Sequence, residues 1–366
     1  MKHIPVIVLG ATGAVGQRFV QLLENHPWFE VVGLTGSDRS IGQRYTDACR
    51  WVLSGPMPDY ARDIVVTPTE PGVEAALAFS ALPADTARQV EPLFAAAGYG
   101  VCSNASAFRM EPDVPLLIPE VNPDHIRLIE TQRVRRGWQG FIATNPNCTA
   151  TGLVMALKPL HDTFGVKRVL AVSLQAISGA GYPGVASLDI VDNVIPYIGG
   201  EEDKVETEPL KLLGQLNGDG VRFAEFAISA HTNRVAVIDG HIVCASVELE
   251  TNPGVEDVER ALADFRTPDP VAGLPSTPER PIVVRREPDR PQPRRDRDEG
   301  HGMTAVVGRV RPCSLLGIKF VVLSHNTIRG AAGGSLLNAE LLAAQGYLNS
   351  VRVELIRSTV TVEYCA

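Results

Sequence analysis

Residues 4–9 read Ile-Pro-Val-Ile-Val-Leu, and the chain then passes straight into Gly-Ala-Thr-Gly-Ala-Val-Gly at 10–16. A short, unbroken apolar run is the pattern of a parallel strand buried on both faces. Val15, Phe19, Leu22 and Leu23 then recur at helical spacing, and Pro27 follows the end of that helix. A second strand fits residues 30–35, so the chain opens as a strand–helix–strand unit. Such an opening constrains the rest of the fold, because parallel strands need crossovers and further units extend the same sheet. ALAFSAL at 76–82 and YGVCSNAS at 99–106 supply two more strands, with a helix predicted over 86–97. The alternation predicts an α/β fold with a doubly wound parallel sheet over residues 1–150.

At 366 residues the chain is long enough for a second domain. From Val166 the texture changes: VLAVSLQ at 169–175 and HIVCASVELE at 241–250 alternate like longer strands. Asn252 and Pro253 read as a helix cap and first turn, with Val258, Ala261, Leu262 and Phe265 on one face. An α+β domain over 151–329 is expected. RREPDRPQPRRDRDE at 285–299 mixes six arginines with five acids among prolines, and reads as a solvated or subunit-contact loop.

A net charge of −8 argues against nucleic acid as the main partner while leaving room for a local anion pocket. The six cysteines, at 49, 102, 148, 244, 313 and 365, form no CxxC pair and no metal-ligand spacing. They read as reduced thiols of a cytoplasmic protein, and no metal is expected. The run at 4–9 is too short for a signal segment, and no stretch reaches the length of a membrane span.

Gly10, Gly13 and Gly16 lie between a predicted strand and a helix start, where bare backbone amides can approach a pyrophosphate. A Rossmann-type dinucleotide site is expected there, with Thr12, Ala14 and Val15 completing the turn. After the second strand, Ser37, Arg39 and Ser40 offer two hydroxyls and a guanidinium, a set that suits a 2′-phosphate and so NADP. Asp38 is the dissenting residue and is expected to face solvent.

ATNPNCTATGLVMAL at 143–157 contains a tight Asn-Pro turn followed by Ala150, Leu153, Val154 and Leu157 on one helical face. Cys148 therefore sits at a helix N-terminus, where the dipole and free amides favour a thiolate and could hold an oxyanion. Cys49, Cys102, Cys244 and Cys313 read as buried, inert thiols. A thiolate suits reduction of a carboxylate derivative, because a thioester accepts hydride and the sulfur can leave again. For the acid–base partner, His241 opens a strand on the same side as Val243, Ala245, Val247 and Leu249, with Gly240 before it. His231 competes.

The motifs GATGAVGQ, SNAS (103–106), NPNCT (145–149), QAISGAGYPG (175–184), RVAVIDGH (234–241) and NTIRGAAGGS (326–335) together resemble the aspartate-semialdehyde dehydrogenase family, in its archaeal and fungal-like branch. The resemblance spans nearly the whole chain. It implies Cys148 as nucleophile, His241 as acid–base catalyst and Gln175 as the residue orienting the acyl group. It implies Arg234 for the substrate α-carboxylate, Arg109 for phosphate, and an ExxK pair for amine and phosphate. That pair reads as Glu208 and Lys211, with Glu201 and Lys204 as the alternative register. Ser178, Gly179 and Asn326 match cofactor contacts, and the pattern Leu336, Leu337, Glu340, Leu341 matches a helix over about 330–350 that returns to the first domain. The implied reaction is NADPH-dependent reductive dephosphorylation of L-4-aspartyl phosphate to L-aspartate 4-semialdehyde, on a homodimer or homotetramer. In this family the product feeds threonine, methionine, isoleucine, lysine and diaminopimelate synthesis. A malonyl-CoA reductase is the nearest rival, N-acetyl-glutamyl-phosphate reductase a more distant one, and a non-catalytic NADP-binding sensor the rival of another class.

Overall fold

The structure, a computed structural model, describes residues 3–348. Cys365 and the final stretch from Val351, for which the sequence suggests no role, lie outside the described residues. Five strands, β1 (Ile4–Leu9), β2 (Phe29–Leu34), β3 (Leu77–Ser80), β4 (Gly100–Ser103) and β5 (Phe141–Thr144), form one sheet in the order β2-β1-β3-β4-β5. Every pair in it is parallel. Val6 to Leu9 are fully buried, as their unbroken apolar run requires. The strand order reverses between β1 and β3, and open α/β sheets bind ligands in the crevice beyond such a point. Gly10 stands there at φ +72, and a Cβ on it would lie 3.1 Å from the Ala81 carbonyl oxygen.

Strands β3 and β4 are shorter than their sequence runs, because the flanking residues turn outward into loops. β5 escapes the sequence reading altogether: its four residues merge directly into the Asn-Pro turn.

The second sheet contains β6 (Val166–Gln175), β9 (Ala227–Arg234), β10 (His241–Leu249), β11 (Ile282–Arg285), β12 (Ala305–Cys313) and β13 (Gly317–Ser324). Its order is β11-β12-β13-β10-β6-β9, and a separate hairpin pairs β7 (Gln215–Asn217) with β8 (Gly220–Arg222). β10 runs antiparallel to both neighbours, whereas β6 and β9 are parallel. The alternation in β10 buries Val243, Ala245, Val247 and Leu249 against Leu153, Leu157 and Leu160 of the Cys148–Phe164 helix. The Gly333–Ala344 helix returns to the first core, with Leu336, Leu337, Leu341 and Leu342 in one cluster with Val8, Leu77 and Phe79.

Three local expectations are corrected. The helix after β10 is Val255–Ala263 and is capped at Gly254, whose amide donates to Asp257 Oδ2 at 3.2 Å, so Asn252 and Pro253 precede it. The mixed-charge segment is not merely solvated. Asp296 is buried, accepting from Arg290 Nε and the Gln292 amide at 2.7 Å each, and Arg285 Nε lies 3.5 Å from its Oδ1. Cys49 and Cys102 are buried as expected, but Cys244 is exposed on the outer face of β10 and Cys313 is half-buried, because alternate residues of these strands face away from the core.

Glu120, in the loop following Leu116–Ile118, receives both Nη groups of Arg329 at 2.6 and 2.8 Å, and both side chains are excluded from solvent. Removing one partner leaves a buried, uncompensated charge. Glu120→Ala is therefore expected to cost about 3–5 kcal/mol, while Glu120→Leu with Arg329→Met recovers most of the loss. The check is the urea midpoint of the three proteins; equal midpoints for the single and double variants would contradict it.

Candidate active site

Only the turn Asn145–Asn147 separates β5 from the Cys148–Phe164 helix, so the end of the first sheet fixes where Cys148 stands. Asn147 is the N-cap: its Oδ1 accepts from the amides of Thr149 and Ala150 at 2.9 and 3.0 Å. Of the helix-start amides expected to hold an oxyanion, the cap thus engages those of Thr149 and Ala150. Cys148 itself is half-buried. Burial, and then the Glu201 carboxylate, push its thiol up to about 12, against the opposing pull of Arg109, Arg234 and the Thr149 amide. Its sulfur is thus held as a thiol, with two cations acting to favour ionisation. Behind it lies Gly330, where a Cβ would stand 2.5 Å from the Cys148 Cβ.

His241 begins β10 and is buried. Its Nδ1 accepts from the Ala176 amide at 3.0 Å, which assigns the proton of the neutral ring to Nε2. Nε2 is enclosed and has no protein partner. Burial first, then Arg234 and His325, lower the imidazole to about 3, so the ring is neutral at ordinary pH. Gly179 leaves open the space beside it: a Cβ there would be 3.2 Å from Nε2 and 2.8 Å from Arg234 Nη1. His231 is exposed on β9, away from this cluster.

Gln175 and Arg234 end the parallel strands β6 and β9 and are register partners. Arg234 Nη1 donates to the Ala176 carbonyl at 2.7 Å, while Gln175 Nε2 reaches Ser173 Oγ at 3.3 Å and Glu201 Oε2 at 3.4 Å. Glu201 also accepts from Asn147 Nδ2 at 2.8 Å and pairs with Lys204 at 2.9 Å. Burial works against its charge, but Lys204, Asn147 and Gln175 outweigh it and hold the carboxyl below its ordinary range.

The sequence-favoured ExxK register, Glu208 and Lys211, is engaged by protein groups. Lys211 is fully buried, and its Nζ donates to the carbonyls of Arg109, Glu111 and Val114 at 2.7, 2.7 and 2.8 Å. An ammonium has three protons, so all are committed to backbone. Glu208 is bound by Arg109 Nη1 at 2.9 Å and by the Asn147 amide at 2.6 Å. Of the two registers, Glu201 and Lys204 are the partly accessible pair.

Across the cleft, Gly13 caps the Ala14–Leu22 helix without any side-chain cap, leaving first-turn amides for an anion. A Cβ on Gly16 would sit 2.2 Å from the Gly10 carbonyl oxygen, so only glycine permits this turn. Thr12, Ala14 and Val15 are partly exposed along it. Beyond β2, Ser37, Asp38 and Arg39 are exposed, while Ser40 is buried. The opposite wall carries Ser178, whose Oγ accepts from Asn326 Nδ2 at 2.7 Å, and Asn326 Oδ1 accepts from the Gly240 amide at 2.8 Å. The described residues hold no His/Cys/Asp/Glu group that could bind a metal ion.

Residues 5–129 match the family model described as semialdehyde dehydrogenase, NAD binding domain, and residues 157–329 match semialdehyde dehydrogenase, dimerisation domain. An aspartate-semialdehyde dehydrogenase of Archaeoglobus fulgidus is 56% identical over 336 residues, covering 92% of this chain and 96% of that protein. The chain belongs to the aspartate-semialdehyde dehydrogenase family. The Candida albicans relative is 47% identical over 358 residues, 93% of this chain and 98% of its own. A crystal structure of the Candida albicans aspartate-semialdehyde dehydrogenase with NADP superposes with a TM-score of 0.87 at 45% identity, covering 94% of this chain and all of that one. Aspartate-semialdehyde dehydrogenase II of Vibrio cholerae, complexed with ASA, gives 0.74 at 26% identity, over 94% and 99%.

For this semialdehyde dehydrogenase, sequence reasoning missed Asn147, Gly330 and the Glu120–Arg329 pair. Asn147 was findable, since asparagine before a helical run is a cap signal. An arginine followed by Gly330, Ala331 and Ala332 is a weaker signal of close packing.

The electrostatics of Cys148 predict its reactivity without substrate. With the thiol near 12, alkylation by iodoacetamide should climb about tenfold per pH unit from roughly 7 to 10. Glu201→Gln removes a charge that raises the thiol and releases Lys204, so alkylation at a fixed pH should be faster. Mass spectrometry of Cys148 provides the readout; a plateau below about pH 8, or slower alkylation in the variant, contradicts this account.

Proposed function

We propose that this enzyme reduces L-4-aspartyl phosphate to L-aspartate 4-semialdehyde, with NADPH as reductant and Cys148 as nucleophile. The observation that carries this reading is the charge set acting on one thiol: the guanidiniums of Arg109 and Arg234 and the carboxylate of Glu201. A short substrate bearing a phosphate, an α-carboxylate and an α-ammonium is its complement. Arg109 receives the phosphate together with Lys204, Arg234 takes the α-carboxylate, and Glu201 takes the ammonium. Gln175, next to Glu201, orients the acyl group.

The glycine turn fits a dinucleotide, since a side chain at Gly16 would fill the approach and the uncapped helix start offers its amides. Ser37 and Arg39, with Ser40 behind them, suit the 2′-phosphate of NADP, while Ser178, Gly179 and Asn326 face the nicotinamide end. When bound, NADPH supplies the hydride. In the first step Cys148 Sγ bonds to the acyl carbon, the carbon–oxygen bond to phosphate breaks, and the thiol proton leaves with the phosphate. When the Cys148 thioester is reduced, the Nε2–H of His241 donates a hydrogen bond to the developing oxyanion. Collapse re-forms the carbonyl, breaks the carbon–sulfur bond and frees the aldehyde; solvent reprotonates the thiolate.

We also infer a cytoplasmic homodimer. The described cysteines are all free thiols, which suits a reducing compartment. Leu170 and Val172 on the outer face of the second sheet, and Leu188, Val191 and Tyr197 beyond it, expose apolar surface fit for a second copy.

Phosphate-dependent reduction of NADP with L-aspartate semialdehyde tests the reading. We expect activity in the wild type and its loss by at least about a thousandfold in Cys148→Ala. A wild type that is silent here but oxidises NADPH with malonyl-CoA would sink the aspartyl assignment.

A further inference from the structure

We propose that Glu208 and Lys211 are positioning residues that hold Arg109, and through it the leaving phosphate, in register with Cys148. The proposal rests on the aspartyl phosphate reading, and deepens it by naming what aims its phosphate-binding arginine.

Lys211 and Glu208 lie one turn apart on the Glu201–Leu212 helix and share a face. Both are buried. Burying an ammonium is costly, and here the compensation is specific: three carbonyls from 109, 111 and 114 converge on one Nζ. That contact fixes the backbone of the segment beginning at Arg109. Glu208 fixes the side chain: Oε1 takes Arg109 Nη1, while Oε2 takes the Asn147 amide, one residue before the nucleophile. A third contact, Arg109 Nη2 to the Asn104 carbonyl at 2.7 Å, holds the guanidinium from the other side. Arg109 Nε is enclosed and has no protein partner, so a donor of the clamped guanidinium is still unspent.

One carboxylate thus measures the distance between the phosphate-binding guanidinium and the turn that carries Cys148. A residue that merely closed the loop would need only the Lys211 contacts; the bridge from Arg109 to Asn147 ties two reacting ends together. Lys211 and Glu208 act through Arg109, and their loss should fall on phosphate rather than on the aldehyde or the dinucleotide.

The test is a double-mutant cycle in the phosphate-dependent oxidation of aspartate semialdehyde, with Lys211→Met, Glu208→Gln and Arg109→Ala. Lys211→Met and Glu208→Gln should each raise the phosphate KM by about tenfold or more, with the semialdehyde KM and NADP binding within about twofold of wild type. In the Arg109→Ala background either change should add less than about twofold. Thermal melting and NADP binding report whether each variant is folded. If Lys211→Met fails to fold, the isosteric Glu208→Gln carries the same cycle. Additive effects in the Arg109→Ala background, or an unchanged phosphate KM in a folded variant, overturn the positioning role. A wild type with no phosphate-dependent activity overturns the functional reading itself, which separates the two failures.

Discussion

Asn147 uses every polar atom it carries, and the geometry of the site depends on that. Its carbonyl accepts from the Thr151 amide at 2.8 Å and the Thr151 hydroxyl at 2.9 Å, and its Oδ1 caps the helix. Its amide and Nδ2 go to Glu208 and Glu201, which stand two turns apart on one helix. The helix bearing Glu201 and Glu208 and the turn before Cys148 are therefore joined through a single residue. Charge-assisted bonds of this kind are stronger than neutral ones, and they are what a reaction needs when atoms must be held at near-contact distances.

Absent side chains complete what these bonds begin. Gly330 lets its loop press on Cys148 from behind, while Gly179 leaves open the space next to His241 Nε2 and Arg234. The bidentate Glu120–Arg329 pair secures the chain immediately before Gly330. Cys148 thus has a fixed wall from the segment after β13, while the loop after β6 leaves open the space beside His241 and Arg234.

Much of this was legible in the sequence because its signals are local. A buried parallel strand, a glycine turn and an amphipathic helix each announce themselves within a dozen residues, and the motif around Cys148 does so too. The four-residue β5 was not legible, since a strand that short has no period to detect before the turn begins. The two ExxK registers are indistinguishable in the sequence for a geometric reason. Glu201/Lys204 and Glu208/Lys211 repeat at seven residues, which is two helical turns, so both pairs project from the same face. Only the surroundings distinguish them: backbone carbonyls converge on Lys211, whereas Lys204 meets Glu201 near the open site. Cys244 and Cys313 were misjudged because strand alternation sets which face a residue takes, and a cysteine fits either face.

The resting charge state of the site narrows what His241 can do. A thiolate–imidazolium pair would require protons on both ring nitrogens, yet Nδ1 is already accepting the Ala176 amide. The cation would also stand in a desolvated site beside Arg234, and both effects lower the imidazole. The ring nitrogen left to give a hydrogen bond is Nε2, which has no protein partner. In the proposed reaction the Cys148 proton leaves with the phosphate, which departs with more basicity than it had as an ester-like oxygen. Arg109 beside the thiol serves both ends of that exchange: its charge favours the thiolate before bond formation and the phosphate after it. A neutral histidine, a protonated thiol and a clamped arginine are one arrangement consistent with the proposed reaction, in which the substrate's leaving group carries away the Cys148 proton.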